Sequence, residues 1–123
     1  MQSKTIGTFG ENIAKNYLEK KGYKILETNY KTKIGEIDII AQKGKNLVFI
    51  EVKTITTKEN FLPEDKVDKR KRTKLINLVK FYLQEKKINF DIPLQIDVIG
   101  IKLGKDKESE IQHFENVIED KEF

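Results

Sequence analysis

Apolar positions change period along the chain, and each change marks an element. Phe9, Ile13, Ala14, Tyr17 and Leu18 recur three and four residues apart, which predicts an amphipathic helix. Residues 1–7 read as a polar lead-in. Thr8 is placed as an N-cap with Glu11 three residues on, a capping-box pattern, and Gly22 as the stop after about Lys21. Tyr23 to Tyr30 reads as a strand, with Asn29 beginning a turn through Lys31, Thr32 and Lys33. Two β-prone runs follow, from Gly35 and up to Lys53, around a short turn at Gly44-Lys45; this is a hairpin signature. Residues 55–66 show no period, and Pro63 discourages regular structure there. Val67 to Lys86 is helical again, with Leu75, Leu78, Val79, Tyr82 and Leu83 as its stripe. Leu94 to Ile101 is a strand, with Leu94, Ile96 and Val98 on one face and Gln95, Asp97 and Ile99 on the other. Gly104 to Lys107 is a charged turn, Glu110 to Phe114 a last strand, and Val117 to Lys121 a helical turn. The order α-β-β-β-α-β-β predicts an α/β (α+β) chain, a mixed sheet flanked by helices, in a single domain over 1–123.

The hairpin carries charge where a buried strand should not. Its turn sets the register, whether the loop has two residues or four: Lys43 faces Asn46, Ile40 faces Phe49, Asp38 faces Glu51 and Glu36 faces Lys53. Strand alternation then puts Glu36, Asp38, Glu51 and Lys53 on one face. Opposed side chains stand roughly 4.5–5.5 Å apart at Cβ, so Asp38 and Glu51 repel unless a cation, a proton or water lies between them. The helices add two more charges. Glu11 falls on the stripe Gly7, Glu11, Ala14, Leu18, at the edge of the first helix's apolar face; its alternative role is the capping box alone. Lys71 extends the stripe Leu75, Leu78, Tyr82 toward the helix start. Lys69, Arg70, Arg72 and Lys74 spread around it, either as a solvated helix start or as a phosphate-binding patch. A basic first turn opposes the helix dipole, and nearby carboxylates relieve that.

Composition narrows the chemistry. The 123 residues carry 24 Lys plus Arg against 20 Asp plus Glu, a formal charge of +4. That tilts weakly toward polyanionic partners. Only Arg70 and Arg72 are arginines, so backbone contact is expected ahead of base readout. With no cysteine and only His113 as histidine, disulfides, Cys-based zinc sites and histidine-rich centres are excluded. His113 is expected to be a surface residue and not a ligand, because no other histidine or cysteine exists to join it. A metal at the hairpin would have hard oxygen ligands, which suits Mg²⁺ or Mn²⁺. No apolar run is long enough to span a membrane, and the N-terminus lacks a signal-peptide core. The expectation is a cytoplasmic protein without membrane contact. Two carboxylates with a lysine two residues along the strand could hold such a metal, polarise a phosphoryl oxygen and position water.

Several stretches, taken in order, carry a resemblance: Gly10-Glu11 with Ala14, Tyr17 and Leu18; Gly22-Tyr23; Gly35-Glu36-Ile37-Asp38-Ile39-Ile40-Ala41; Val48-Phe49-Ile50-Glu51-Val52-Lys53; Lys71 with Leu75; Tyr82-Leu83; and Asp97-Val98. The chain resembles the YraN-like proteins, an uncharacterised bacterial family, over nearly its whole length. That family is grouped with the restriction-endonuclease-like, PD-(D/E)XK nucleases and is similar in fold to archaeal Holliday-junction resolvases and tRNA-splicing endonucleases. The resemblance implies a Mg²⁺- or Mn²⁺-dependent nuclease acting on DNA, branched or damaged DNA included. Asp38 and Glu51 would bind metal with the Val52 carbonyl, Lys53 would be the catalytic lysine, and Glu11 would reach the metal through water. Glu36 belongs to the same signature with its role open; the register, which faces it to Lys53, allows it to orient that amine by a salt bridge in place of binding metal, and Lys71 would support the site. A homodimer is implied by analogy with the resolvases. The chain departs from the pattern in two places. Phe61-Leu62-Pro63 lacks a glycine after the phenylalanine, and Gln95-Ile96-Asp97 replaces an arginine-phenylalanine pair that could contact phosphate.

Two other readings compete with the nuclease. In one, the same fold binds nucleic acid without turnover, with steep salt dependence. In the other, the charges form a satisfied ion network in a protein-interaction domain, which carries a desolvation cost.

Overall fold

The computed structural model describes residues 3–56, 69–89, 91–104 and 109–118, with side chains from residue 7 onward. Its elements are α1 (Ser3–Lys20), β1 (Lys24–Thr32), β2 (Gly35–Lys43), β3 (Asn46–Thr56), α2 (Lys69–Glu85), β4 (Leu94–Leu103) and β5 (Ser109–Ile118). The strands form one sheet in the order β1-β2-β3-β4-β5. Strands β3 and β4 are parallel, joined through α2, and the other neighbours are antiparallel. A parallel pair needs such a crossover. The mixed sheet and the element order are those expected from sequence.

The middle of the sheet is covered on both sides, which explains why Leu47 to Ile50 is an unbroken apolar run. Leu47 and Phe49 join Ile40, Ile96 and the α2 residues Leu75, Leu78, Val79, Tyr82 and Leu83. Val48 and Ile50 join Ile39, Ile99 and the α1 residues Ala14 and Leu18. Burying one such side chain contributes about 1.5–3 kcal/mol. The α2 stripe is the one read from spacing. On α1, Gly10 continues the Ala14–Leu18 stripe at i, i+4, i+8. A Cβ at Gly10 would overlap Thr54 Oγ1 on β3, so this glycine sets how closely the helix approaches the sheet.

Boundaries differ from the sequence reading where local signals are weak. Helix α1 begins at Ser3, so residues 3–7 are not a lead-in and Thr8 lies inside the helix, not at its N-cap. Once nucleated, a helix propagates through residues that cost under about 1 kcal/mol each, and Ser, Thr and Gly fall in that range. Phe9 is 46% exposed and lies off the buried stripe. Strand β3 continues through Ile55 and Thr56, which pair with Lys102 and Leu103. Strand β5 continues to Ile118, which pairs with Ile96 and is fully buried, so Val117 and Ile118 are strand and not a helical turn. An irregularity at Asn116, φ 53°, had hidden that continuation from the alternation pattern. Phe61-Leu62-Pro63, Val67 at the expected helix start, residues 105–107 of the expected turn and the residues after Ile118 lie outside the described residues. Among the described residues, no helix is long and apolar enough to cross a membrane.

Candidate functional site

The β2–β3 hairpin is paired in the expected register at its turn: Lys43 with Asn46, Ile40 with Phe49, Ile39 with Ile50. The recorded pairing stops there. Glu51 stays with β4, opposite Val98, and Lys53 lies opposite Gly100. Glu36 stays with β1, opposite Lys31. The two strands therefore part like a fork, and the expected pairs Asp38–Glu51 and Glu36–Lys53 are not formed. The physical reason lies at Asp38. Its side chain takes the place of a backbone acceptor, with the Val52 amide donating to Oδ2 at 2.8 Å. That keeps two carboxylates from facing each other across a closed ladder. In an extended strand the N–H and C=O of one residue leave on the same side, so the Val52 carbonyl also faces the opening.

The strand turns over at this point. Ile37 packs with the α2-side core and Ile39 with the α1-side core, although they are two residues apart. Regular alternation would put them on one face, so the four charged residues do not share a face as a regular hairpin requires. Asn29 marks the same place on β1. It stands between Thr28, opposite Ile39, and Tyr30, opposite Ile37, and so lies across from Asp38. Its φ of 52° is a left-handed conformation that asparagine tolerates well. Asn29 therefore lies within β1 and does not begin the turn that its sequence context suggests; an asparagine within a strand is the available signal.

Glu11 completes the cluster from α1, half-buried and hydrogen-bonded to the side chains of Asn29 and Asp38. Burial, and then the charge of Glu36, push its carboxyl above the usual range, while those two hydrogen bonds pull the other way. Asp38 is pushed up to about 7. Burial is the largest cause, the Val52 amide opposes it, and the charges of Glu11, Glu51 and Glu36 add to it. Two carboxyls this close favour sharing a proton. Glu51 has one oxygen on Lys71, with Nζ–Oε1 2.7 Å, and its Oε2 is buried without a hydrogen-bond partner. Lys71 thus points inward, as the helix stripe indicated.

Two clefts meet at Glu36, which lines both. The α1-side cleft, about 480 Å³, runs past Thr8, Glu11, Asn29 and Lys31. The α2-side cleft, about 330 Å³, is lined by Glu51, Arg70, Lys71 and Lys74. Lys69, Arg70 and Lys74 are exposed and Arg72 is half-buried; Lys69 and Arg72 do not line that cleft. Gly35, φ 147°, lets the Lys74 chain cross the β2 start, since a Cβ there would stand 2.6 Å from Lys74 Cε. The structure therefore brings Glu11, Asp38, Glu51 and Lys71 together, places Lys53 one step further along β3, and puts Glu36 at the rim. The oxygens of Asp38 and Glu51, with the Val52 carbonyl, could hold a hard divalent cation. The unpartnered Glu51 oxygen and the raised Asp38 carboxyl both fit one.

His113 is not at the surface. Its side chain is 6% exposed and bonded to Asp97 and Tyr17. Those partners lie 16 and 96 residues away in the chain, so no local pattern could show them.

Residues 10–101 match the model of the Uncharacterised protein family UPF0102. A UPF0102 protein of Alkaliphilus metalliredigens is 44% identical over 106 residues, covering 85% of this chain and 91% of that one. A relative from Clostridioides difficile is 41% identical over 116 residues, 94% of this chain and 98% of its own. One from Carboxydothermus hydrogenoformans is 40% identical over 121 residues, 97% and 99% of the two chains. The family model spans the fork, α2 and most of β4, and the chain belongs to the uncharacterised protein family UPF0102.

Proposed function

We propose that the fork is the active site of a divalent-metal-dependent phosphodiesterase that cuts nucleic acid, with branched or damaged DNA as the favoured substrate class. The observation that carries this is frustrated charge: three carboxyls crowd one opening with Glu36 at its rim, Asp38 is raised to about 7, and a buried Glu51 oxygen accepts no hydrogen bond. A satisfied structural ion network pairs its buried oxygens, and Glu51 Oε2 is not paired.

Asp38, Glu51 and the Val52 carbonyl are the ligands, with Mg²⁺ or Mn²⁺ as the ion. Such an ion supplies phosphoryl polarisation and an acidified water. Glu11 holds its place beside Asp38 and orders water at the α1-side cleft. Lys53 positions the attacking water and offsets charge building on the phosphate. Glu36 borders both clefts, and Lys71 fixes Glu51. Lys69, Arg70, Arg72 and Lys74 form the phosphate-contacting start of α2. A homodimer would place two forks on a two-fold substrate, which sedimentation with and without junction DNA tests.

Structured DNA and RNA substrates incubated with Mg²⁺ or Mn²⁺ test the reading, with Lys53→Ala alongside. Cleavage by the wild type that Lys53→Ala loses is the expected result; no cleavage of any substrate by either contradicts it. The Lys71–Glu51 ion pair favours a second reading, nucleic-acid binding without turnover, because it partly neutralises Glu51 without a metal. That reading expects salt-sensitive binding and no Mg²⁺ or Mn²⁺ response at Asp38.

A further inference from the structure

A second group of metal-ligating side chains lies away from the fork, between the C-terminal half of α1 and strands β4 and β5. Asp97 on β4 is fully buried. His113 and Glu115 stand at i and i+2 on β5, the first half-buried and the second exposed. Their ligating atoms and that of Asp97 all lie within 4.8 Å of one another. The β4–β5 register shifts between Ile96 and Val98, around Asp97, where Asn116 takes its left-handed conformation.

Each of the three is held by an outer partner. Asp97 Oδ1 accepts from the Gln95 amide and from the Asn116 backbone N–H, both at 2.8 Å. The Tyr17 hydroxyl contacts His113 Nδ1 at 3.0 Å, and Lys21 donates to the Tyr17 oxygen at 3.1 Å. Glu115 shares a hydrogen bond with the Tyr23 hydroxyl, a buried residue. The two atoms these contacts leave over, Asp97 Oδ2 and His113 Nε2, face each other at 2.7 Å. Outer contacts of this kind orient metal ligands and set the histidine tautomer. The local field is negative as well. The Tyr23 hydroxyl is pushed up to about 12, by burial first and then by the charges of Asp97 and Glu115.

We propose that Asp97, His113 and Glu115 form a second metal site, for a borderline divalent ion of the Zn²⁺ class. One imidazole with two carboxylates suits such an ion, whereas the all-oxygen fork suits Mg²⁺ or Mn²⁺. The exposed Glu115 gives the ion its way in. In the metal-free chain Nε2 faces Asp97 Oδ2 and Nδ1 faces the Tyr17 hydroxyl. An ion on Nε2 would take the place of any proton there, leaving Nδ1–H to donate to the Tyr17 oxygen.

His113 is the sole histidine, so its ring nitrogens report on the site by NMR without ambiguity. Equimolar Zn²⁺ is expected to shift the ring nitrogens to an ion-bound Nε2 with Nδ1–H, and millimolar Mg²⁺ to leave them unchanged. Glu115→Gln, at an exposed position, is expected to weaken Zn²⁺ binding about tenfold or more, and Tyr17→Phe roughly 10–100-fold, with amide spectra showing both folded. Asp38→Asn is expected to leave the response intact, which separates this site from the fork. A ring unmoved by excess Zn²⁺ would make the cluster a closed hydrogen-bonded network and overturn the proposal, as would an equal response in Glu115→Gln.

Discussion

The β2–β3 hairpin has two halves built from one pair of strands. Near the turn, Ile39, Ile40, Ala41, Val48, Phe49 and Ile50 are fully or almost fully buried and their register is closed. Beyond Ile39 and Ile50 the same strands part, and the opening collects Glu11, Asp38 and Glu51. The first half gains stability from every side chain it buries. The second half gives some up, holding a carboxyl at about 7 when its ordinary value is 3.8. The difference teaches where the fold is stabilised and where it carries tension that a ligand can relieve.

Substitutions should separate the halves. In the closed half, Phe49→Ala is expected to cost about 3–5 kcal/mol in a denaturant titration, since the ring is buried against Tyr82. In the open half, Lys53→Ala is expected to lower cleavage by roughly 10²–10³-fold with little change in melting temperature. A Lys53→Ala protein that melts early instead would place this lysine among the structural residues.

Asp38→Asn should do what no closed-half substitution can, which is to stabilise the metal-free protein. The folded chain holds the Asp38 proton more tightly than the unfolded chain does. The stability this contributes is fully present below about pH 4 and is lost as pH rises to about 7. Asp38→Asn removes that loss, so it is expected to gain roughly 1–3 kcal/mol above pH 7 and little near pH 4. Urea titrations at the two pH values check this; equal changes at both would contradict the sign. The smallest effect is expected at the half-exposed ion pair of Lys71 with Glu51. Lys71→Met should change metal-free stability by about 1 kcal/mol or less, because the lysine of the pair is 43% exposed.

The two halves also differed in how far the sequence revealed them. The closed register follows from the turn at Gly44 and from strand alternation, and both are local. The α2 stripe is local too, and extending it one turn puts Lys71 on the inward side, where the structure pairs it with Glu51. The open half depends on contacts between distant segments. Asp38 bonds the amide of Val52, Asn29 reverses the face of β1, and Glu11 comes from a different element. The residue types of the cluster were legible, because carboxylates among isoleucines stand out. Their geometry was not, because a period-two pattern assumes that the strands stay paired. His113 is the extreme case, since its surroundings exist only after β5 has docked beside β4 and under α1.

The central claim is that the fork is built for a divalent cation. Thermal melts of the wild type and Asp38→Asn, without metal and with Mg²⁺ or Mn²⁺, test it most directly. The expected result is a crossing: Asp38→Asn melts higher without metal at pH 8, and the ions raise the wild type but not the variant. Ions that shift both proteins equally, or neither, would contradict the claim.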